Sequence, residues 1–298
     1  MEKLKVVGLM TLLTLLLVGL GGYIGGSGGA ALFFGIALAM NFGMYWFSDK
    51  IVLKQYRAHV IQPGEEEGRF DQLYQMVDRL RRNANLPMPV VAISEQPQPN
   101  AFATGRSPKN AVVCVTRGMW DLVGRGDMSV DELEGVMAHE LAHIKNYHML
   151  VGTIAASMAG AVMMIGSMLK WGAIFGMGGR DGEGGNPLSL LALAILAPIA
   201  AMLVQMTISR RNEFEADADG SRICGKPLAL AGALQKIERI AHGHPMAVNP
   251  SAAHLAIVNP LAGVGGMAGL FRTHPPTEER VARLQQIAAR SDVAWLNR

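Results

Sequence analysis

Cysteine, charge and aromatic side chains are all scarce in this sequence of 298 residues. Its two cysteines, Cys114 and Cys224, lie far apart in the chain, which argues against a disulfide scaffold or a cysteine metal site. Charged residues make up 17% and hydrophobic residues 50%, a balance that is unusual for a soluble protein and ordinary for one with several membrane spans. The net charge of +3 is spread along the chain, so we expect no nucleic-acid partner.

The first fifty residues contain a long stretch without any charge, from Val6 to Ser48. It is about twice as long as one helical span requires, and a glycine-rich run at residues 21–29 interrupts it. We predict a hairpin of two spans at residues 6–23 and 29–47. A secretory signal peptide is the alternative, because two lysines precede an apolar core, but the second apolar segment makes an uncleaved hairpin more economical.

A second pair of apolar segments, residues 149–169 and 187–209, is also predicted to cross the membrane because each is long enough and lacks charge. The first of the two is only weakly apolar, so the alternative is that this pair dips into the bilayer or is buried in protein without crossing. The sequence then divides into four parts, two membrane pairs and two soluble segments: residues 1–48, 49–148, 149–209 and 210–298.

Lysine and arginine residues flank the first hairpin on the side of residues 49–148, whereas its turn carries no charge. By the positive-inside rule, residues 49–148 lie in the cytoplasm. An even number of spans returns residues 210–298 to the same side, so both termini are predicted to be cytoplasmic. The sequence thus predicts a mainly α-helical integral membrane protein, with four transmembrane helices in contact with lipid and a cytoplasmic α+β domain.

The cytoplasmic domain is predicted to contain an amphipathic helix and a small sheet. Apolar residues recur at helical spacing from Phe70 to Leu80, which predicts an amphipathic helix from Glu65 to Arg82. Two short β-rich runs, residues 90–93 and 111–115, are predicted to pair, with a loop at residues 100–105 between them. This loop region has two interpretations: an edge strand that holds an extended substrate, or a polar turn after two prolines.

A helix with two histidines carries the clearest chemical signal. Ser129 and Glu132 form the pattern of a capping box, which predicts that a helix begins there. On that helix His139 and His143 lie one turn apart, so both imidazoles project from one face and can bind one metal ion. Glu140 is rotated by about 100° from His139, which places its carboxylate beside the metal, where it can take a proton from water.

A catalytic zinc site needs a third protein ligand, and Glu213 is the candidate. Taken alone, Glu213 is one acid in a charged helical segment, for which solvation is the ordinary explanation. Its position favours it, because adjacent spans of the second apolar pair would bring this segment close to the histidine helix. Asp217 lies one turn later on the same face, which suits an acceptor for the other ring nitrogen of a ligand histidine.

These motifs resemble those of a known family. The stretch His139–His143, with the sequence HELAH, followed by Glu213–Asp217, with the sequence EFEAD, is similar to the gluzincin membrane proteases of the HtpX type, which are relatives of the CaaX prenyl endoproteases. Residues 99–105 and 273–276 agree with the same family, so the resemblance covers essentially the whole chain.

The resemblance implies a zinc metalloendopeptidase with one Zn²⁺ per chain and a zincin-like domain. It gives roles to the residues already described: His139, His143 and Glu213 bind zinc, Asp217 supports them and Glu140 is the catalytic base. It also implies a catalytic role for His274, for which residue chemistry alone would favour a helix cap. Asn100 and Ala101 are expected to bind substrate only because of the resemblance.

By the same resemblance the chain is a bacterial inner-membrane protein that cleaves damaged or misfolded membrane proteins in stress-linked quality control. Two other functions stay open. A site-2-type protease would cut within the bilayer, but charges around the motif, such as Glu134 and Lys145, each cost about 2.5 to 3.5 kcal/mol at mid-membrane. A non-enzymatic adaptor would use zinc to tie two spans together, with His148 or His274 as a fourth ligand.

Overall fold

The computed structural model of the protein describes residues 2–152, 154, 210–243, 257 and 275–296. The chain divides into two compact units, one formed by residues 1–48 with 151–208 and the other by residues 49–150 with 209–298. His274 and almost all of the second predicted pair of spans lie outside the described residues.

Helix α1 (Glu2–Gln55) is broken at Gly25 and Gly26, where the backbone leaves helical geometry. Gly26 has a φ of 58°, a left-handed conformation that glycine adopts without steric cost. The two arms return alongside one another, because a Cβ added at Gly21 would collide with the backbone of Gly29. The glycine-rich run therefore serves both as the turn and as the point of closest approach.

Both arms have the length and hydropathy of membrane spans, Leu4–Tyr23 and Gly25–Phe47, and most of their apolar side chains are exposed. A polar contact joins them: the Asn41 amide donates to the Met10 carbonyl at 3.2 Å and to the Thr14 hydroxyl at 2.9 Å. Side-chain hydrogen bonds of this kind hold neighbouring helices together in lipid. The two helical arms lie where the sequence predicts them.

A four-stranded mixed sheet forms in the unit of residues 49–150 and 209–298, with the order β1 (Ala58–Val60), β2 (Val90–Ser94), β4 (Ala111–Thr116) and β3 (Ala101–Gly105). The two predicted strands are neighbours and run parallel, with Val91 opposite Val113. Strand β3 pairs antiparallel with β4, and β1 pairs antiparallel with β2.

The sheet corrects one prediction, because the stretch predicted as a loop, residues 100–105, forms strand β3 at the edge of the sheet. The polar-turn interpretation of this stretch is therefore wrong. All five residues of β3 are buried, and the strand packs against a helix. One edge of β3 is bonded to β4, which leaves its other edge as the outer edge of the sheet.

The same unit contains six described α-helices: α2 (Asp71–Asn83), α3 (Arg117–Arg125), α4 (Val130–Lys145), α5 (Arg210–Cys224), α6 (Pro227–Gly243) and α7 (Thr277–Leu296). Helix α4 is central, because it packs against α5, α6 and β3, and every residue from 133 to 142 is buried. The amphipathic helix predicted from Glu65 begins later, at Asp71. Glu65–Gly68 is a 3-10 turn, and Gly68, with a φ of 78°, separates it from α2.

Two glycines allow the neighbouring helices to approach α4 closely. A Cβ at Gly135 on α4 would lie 2.8 Å from the backbone nitrogen of Leu230 on α6. A Cβ at Gly220 on α5 would lie 2.9 Å from the Cα of His139. Both distances are shorter than packed atoms allow, so the helices can lie this close together only because both residues are glycine.

Candidate active site

Helix α4 begins as the sequence predicts, with a complete capping box. The Glu132 backbone nitrogen donates to the Ser129 hydroxyl at 3.1 Å, and the Ser129 backbone nitrogen donates to the Glu132 carboxylate at 2.7 Å. Lys236 on α6 also donates to Glu132 at 2.8 Å. The two bonds of the capping box satisfy two of the free backbone donors at the helix start and fix where the helix begins, and hence the direction in which its histidines project.

His139, His143 and Glu213 converge from α4 and α5. The two Nε2 atoms are 3.1 Å apart. The Glu213 carboxylate lies 3.4 Å from Nε2 of His143 and 3.7 Å from Nε2 of His139. One ligand atom of each residue lies within 4.8 Å of the others. Two imidazole nitrogens and one carboxylate oxygen are a donor set that fits a divalent metal ion such as zinc.

The charges around the two histidines favour different protonation states when no metal is bound. Burial, together with the charges of His143 and Arg280, lowers the pKa of His139. Burial also opposes protonation of His143, but its hydrogen bond to Glu213 and the charge of Glu213 outweigh burial and raise its pKa. A metal ion requires both imidazoles to be neutral, so metal binding competes with protonation of His143.

Asp217 lies behind His139 and contacts its other ring nitrogen, Nδ1, at 3.0 Å. Burial alone would raise the pKa of Asp217, but the charge of Arg280 and hydrogen bonds from Arg280 and His139 lower it to about 2. The carboxylate is therefore ionised and can hold His139 with Nδ1 protonated and Nε2 free for a metal. The sequence analysis predicted this role for Asp217, as an acceptor for the second ring nitrogen of a ligand histidine.

Arg280 on α7 was not singled out by the sequence analysis, although it lies at the centre of this network. Two of its nitrogens donate to Asp217 at 2.7 and 2.8 Å, and a third donates to the Ile257 carbonyl at 2.9 Å. It also lies 3.4 Å from Glu213. The side chain is 1% exposed, and the surrounding carboxylates outweigh burial and raise its pKa further.

Glu140 lies next to His139 in the chain and is buried, with 5% of its surface exposed. Burial and the nearby charge of Glu213 raise its pKa to about 7, against the opposing influences of His143 and a hydrogen bond with the backbone of Ala103. A carboxyl group with a pKa in this range can both accept and return a proton near neutral pH. The bond with Ala103 also ties Glu140 to strand β3.

Comparison with known protein families identifies the family of this chain. The model of peptidase family M48 matches residues 67–288, a range that contains the metal-binding group, Glu140, Asp217 and Arg280. The chain belongs to peptidase family M48. It is therefore a metallopeptidase, and the group formed by His139, His143 and Glu213 is the site at which its structure could hold the metal.

Relatives of this M48 peptidase cover nearly its whole length. Proteins named "Protease HtpX homolog" are 52% identical in Desulfatibacillum aliphaticivorans, over 95% of this chain and 89% of that protein, and 51% identical in Gemmatimonas aurantiaca, over 97% and 100%. The resemblance to the HtpX type is thus confirmed, and with two apolar N-terminal helices it indicates a membrane metalloprotease. A crystal structure of S. mikatae Ste24p is 18% identical with a TM-score of 0.45, covering 86% of this chain and 57% of that one, a similarity too low to support an argument.

The residues predicted to bind substrate in this M48 peptidase lie where β3 begins. Asn100 is 1% exposed and Ala101 is fully buried. The Asn100 side chain accepts a hydrogen bond from the Ile257 backbone nitrogen at 3.0 Å, so its amide oxygen already has a partner within the protein. Direct contact of either side chain with substrate stays a prediction. Strand β3 is the last strand of the sheet, so its outer backbone edge is bonded to no other described strand.

Two other histidines were predicted to take part in the site, and the structure describes one of them. His274, the candidate oxyanion residue, lies outside the described residues, and its role stays a prediction. His148, the candidate fourth ligand, is described: its Nδ1 lies 3.2 Å from Nδ1 of His143, on the opposite side of that ring from the Nε2 atom that faces Glu213. In this geometry His148 is a neighbour of the site and not a member of the metal-binding group.

Proposed function

We propose that this M48 peptidase is a zinc-dependent endopeptidase that works at the cytoplasmic face of a membrane and cleaves damaged or misfolded membrane proteins. The observation that carries this proposal is the convergence of His139, His143 and Glu213, with the buried carboxylate of Glu140 directly beside them. An acid with a pKa near neutrality next to a three-ligand metal-binding group is an arrangement typical of metal-assisted hydrolysis.

The donor set supports zinc as the metal. Two imidazoles and one carboxylate are the protein ligands of many catalytic zinc sites, in which a fourth position stays open for substrate or water. Softer metals favour thiolates, and among the described residues both cysteines lie elsewhere, Cys114 in the sheet and Cys224 at the end of α5. Magnesium and calcium would favour a site made only of oxygen ligands.

The proposed mechanism assigns the proton transfers to Glu140. When bound, zinc supplies a Lewis acid that polarises the scissile carbonyl and acidifies water. Glu140 accepts the proton of the attacking water and then delivers it to the leaving amine, so it acts first as a base and then as an acid. Asp217 keeps the His139 ring in the orientation that points its Nε2 at the site.

Strand β3 is proposed to align the substrate. It is an edge strand, it packs against α4, and its Ala103 backbone bonds to the catalytic carboxylate. A polypeptide that adds to the outer edge of β3 would run past Glu140 in an extended conformation, with main-chain hydrogen bonds that demand no particular sequence. This mode requires a segment free of its own secondary structure, which favours unfolded or damaged substrates.

The membrane setting follows from the N-terminal hairpin and from the distribution of charge. Basic residues flank the hairpin on the side that leads into the peptidase unit, which supports a cytoplasmic active site. An enzyme attached beside the bilayer in this way meets the cytoplasmic segments of other membrane proteins. Cleavage of such segments when they are misfolded is the proposed role in bacterial quality control at the inner membrane.

The test uses the purified zinc-loaded full chain reconstituted with a model membrane protein in a native and a destabilised form. We expect the wild type to cut the destabilised form at least about tenfold faster, because only that form offers an extended segment. Glu140→Gln should bind zinc and show no cleavage, whereas Glu95→Gln, a surface change on the same unit, should behave as the wild type. Equal cleavage of the native form, or cleavage by Glu140→Gln, would contradict the proposal.

A further inference from the structure

The helical backbone is interrupted directly after α4, at residues 146 and 147. The helix ends at Lys145, and Tyr147 takes a left-handed conformation with a φ of 60°. Such a conformation costs free energy in a residue other than glycine, so the surrounding structure must hold it. His148, at the start of the next helical residues, lies against the side of His143.

His148 is buried and its ring makes a specific contact. Its Nδ1 lies 3.2 Å from Nδ1 of His143, and the two rings are inclined at 69° with centroids 5.3 Å apart. Its other nitrogen, Nε2, lies 3.9 Å from the carboxylate of Glu215, which is half exposed on α5. Two ring nitrogens at hydrogen-bond distance share one proton, because one of them must donate and the other must accept.

The direction of that hydrogen bond follows from the metal site. A metal ion on Nε2 of His143 leaves the proton of that ring on Nδ1. Nδ1 of His143 must then donate to Nδ1 of His148, which carries its own proton on Nε2, the nitrogen that faces Glu215. The negative charge of Glu215 stabilises a proton at that position.

We propose that His148 is a positioning residue for the metal site: it accepts the Nδ1 proton of His143 and thereby fixes the tautomer and the orientation of that ligand, with Glu215 behind it. This inference rests on the proposed function, because it assumes that His143 binds zinc. His139 has a corresponding arrangement, with Asp217 behind its Nδ1. Each histidine of the site thus has its own partner, a carboxylate in one case and a neutral imidazole in the other.

Two variants at position 148 test whether the hydrogen-bond acceptor matters: one keeps an acceptor and the other removes it. Asparagine can place its amide oxygen where Nδ1 of histidine lies, whereas leucine has a similar bulk and no acceptor. We expect His148→Leu to lower zinc affinity about 10- to 100-fold, the range for loss of a residue that supports a metal ligand, and His148→Asn to stay within about threefold of the wild type. Zinc affinity is measured by competition with a chromophoric chelator on the full chain in detergent.

A matched control is available in the same unit. His59 also lies 3.9 Å from a glutamate, Glu95, but on β1 and away from the metal-binding group. His59→Leu should leave zinc affinity unchanged. Wild-type affinity in His148→Leu, or an equal loss in His148→Asn and His148→Leu, would overturn the proposal. If the wild type itself binds no zinc, the proposed function fails and not only this inference, so the two failures are distinguishable.

A second measurement needs no variant, and it tests whether His148 accepts the Nδ1 proton of His143 even if His148→Leu does not fold. Nitrogen-15 chemical shifts of the histidine rings in the zinc-loaded wild type report which nitrogen carries the proton. We expect His143 to be protonated on Nδ1 and His148 on Nε2, with Nδ1 of His148 unprotonated. A proton on Nδ1 of His148 would exclude it as an acceptor and overturn the proposal.

Discussion

Arg280 holds together the groups that lie behind the metal-binding residues. It holds Asp217 with two nitrogens and the Ile257 backbone with a third. Arg280→Met would leave the carboxylate of Asp217 buried without its cation. We expect the free energy of unfolding of the zinc-free protein to fall by about 3 to 5 kcal/mol, the usual cost of removing one partner from a buried ion pair. Chemical denaturation in detergent with a chelator present measures this change.

The control for that experiment is Arg239→Met, since Arg239 is exposed on α6. We expect it to change the free energy of unfolding by less than about 0.5 kcal/mol. A similar effect of the two substitutions would show that Arg280 contributes no more than a surface arginine. Because the measurement is made without metal, it separates the stability of the network from its effect on zinc.

At this scale the sequence indicated some residues and not others for identifiable reasons. His139 and His143 could be predicted because both lie on one helix, where spacing alone determines which side chains meet. Glu213 was a weaker candidate from the residues alone, since it comes from a distant part of the chain, and the resemblance then gave it the role of third ligand. Arg280 carried a signal that was not used: it follows Thr277 by three residues and precedes Leu284 by four, which places it on the buried stripe of α7.

Between elements, the closest packing occurs where α5 crosses α4 at Gly220 and His139. Gly220→Ala would place a methyl group 2.9 Å from the Cα of His139, so α5 must move away and take Glu213 with it. We expect a loss of stability of about 1 to 3 kcal/mol, as for other overpacked cores, and weaker zinc binding. Denaturation and chelator competition on the same sample measure the two effects.

Gly124→Ala provides the matched control, because Gly124 lies in α3 and a Cβ there would meet no atom within 4 Å. A helical glycine that has room for a side chain is stabilised by alanine, by about 0.5 to 1 kcal/mol. The two glycine-to-alanine changes should therefore have opposite signs. If both are stabilising, the close approach of α5 to α4 does not constrain the site.

The contribution of Glu132, in the first turn of α4, to the free energy of unfolding should depend on pH. Burial alone would raise the pKa of Glu132, but its hydrogen bonds with Lys236 and Ser129 outweigh burial and lower the pKa. A lowered pKa means that the folded state gains stability above the ordinary value of about 4.3 and loses it as the pH falls below that value. We expect Glu132→Gln to be less stable than the wild type by about 1 kcal/mol at pH 7, and this difference to shrink as the pH falls below the ordinary pKa of a glutamate.

Denaturation midpoints of the two proteins across that pH range are the measurement, with Asp127→Asn as a control at an exposed acid just before the helix. The control should follow the wild type at every pH. A difference between Glu132→Gln and the wild type that does not shrink on acidification would mean that the ionised carboxylate is not what stabilises the first turn.

Local patterns predicted elements well where the determinants are close in sequence. The capping box predicted the start of α4, and hydropathy with glycine predicted the two arms of α1. The sheet was predicted only in part, because pairing of β3 with β4 and of β1 with β2 depends on contacts between distant residues. The start of α2 was predicted too early, because residues Glu65–Gly68 form a 3-10 turn that Gly68 separates from the helix.

For the whole molecule, the proposal of four spans and a cytoplasmic peptidase unit can be tested with single cysteines in a Cys114→Ala, Cys224→Ala background. Ser27→Cys lies in the turn of the first hairpin, and Gly184→Cys lies between the second pair of apolar segments. Both should react with a membrane-impermeant maleimide in intact spheroplasts, because one predicted crossing precedes Ser27 and three precede Gly184, and an odd number of crossings places a residue on the outer side.

Lys109→Cys, which lies on the exposed 3-10 turn before β4, is the control on the other side of the membrane. It should react only after lysis. Labelling of Gly184→Cys only after lysis would show that the second pair does not cross. Labelling of Lys109→Cys in intact spheroplasts would place the peptidase unit outside and contradict the proposed location of the site.

The central claim is that three residues from two distant helices hold a catalytic zinc ion beside Glu140. The most direct measurement is zinc per chain together with cleavage of an unfolded protein for the wild type, Glu140→Gln, Glu213→Ala and the exposed control Glu278→Ala. The account predicts about one zinc with cleavage for the wild type and the control, about one zinc without cleavage for Glu140→Gln, and neither for Glu213→Ala. Full zinc content in Glu213→Ala, or undiminished cleavage by Glu140→Gln, would contradict it.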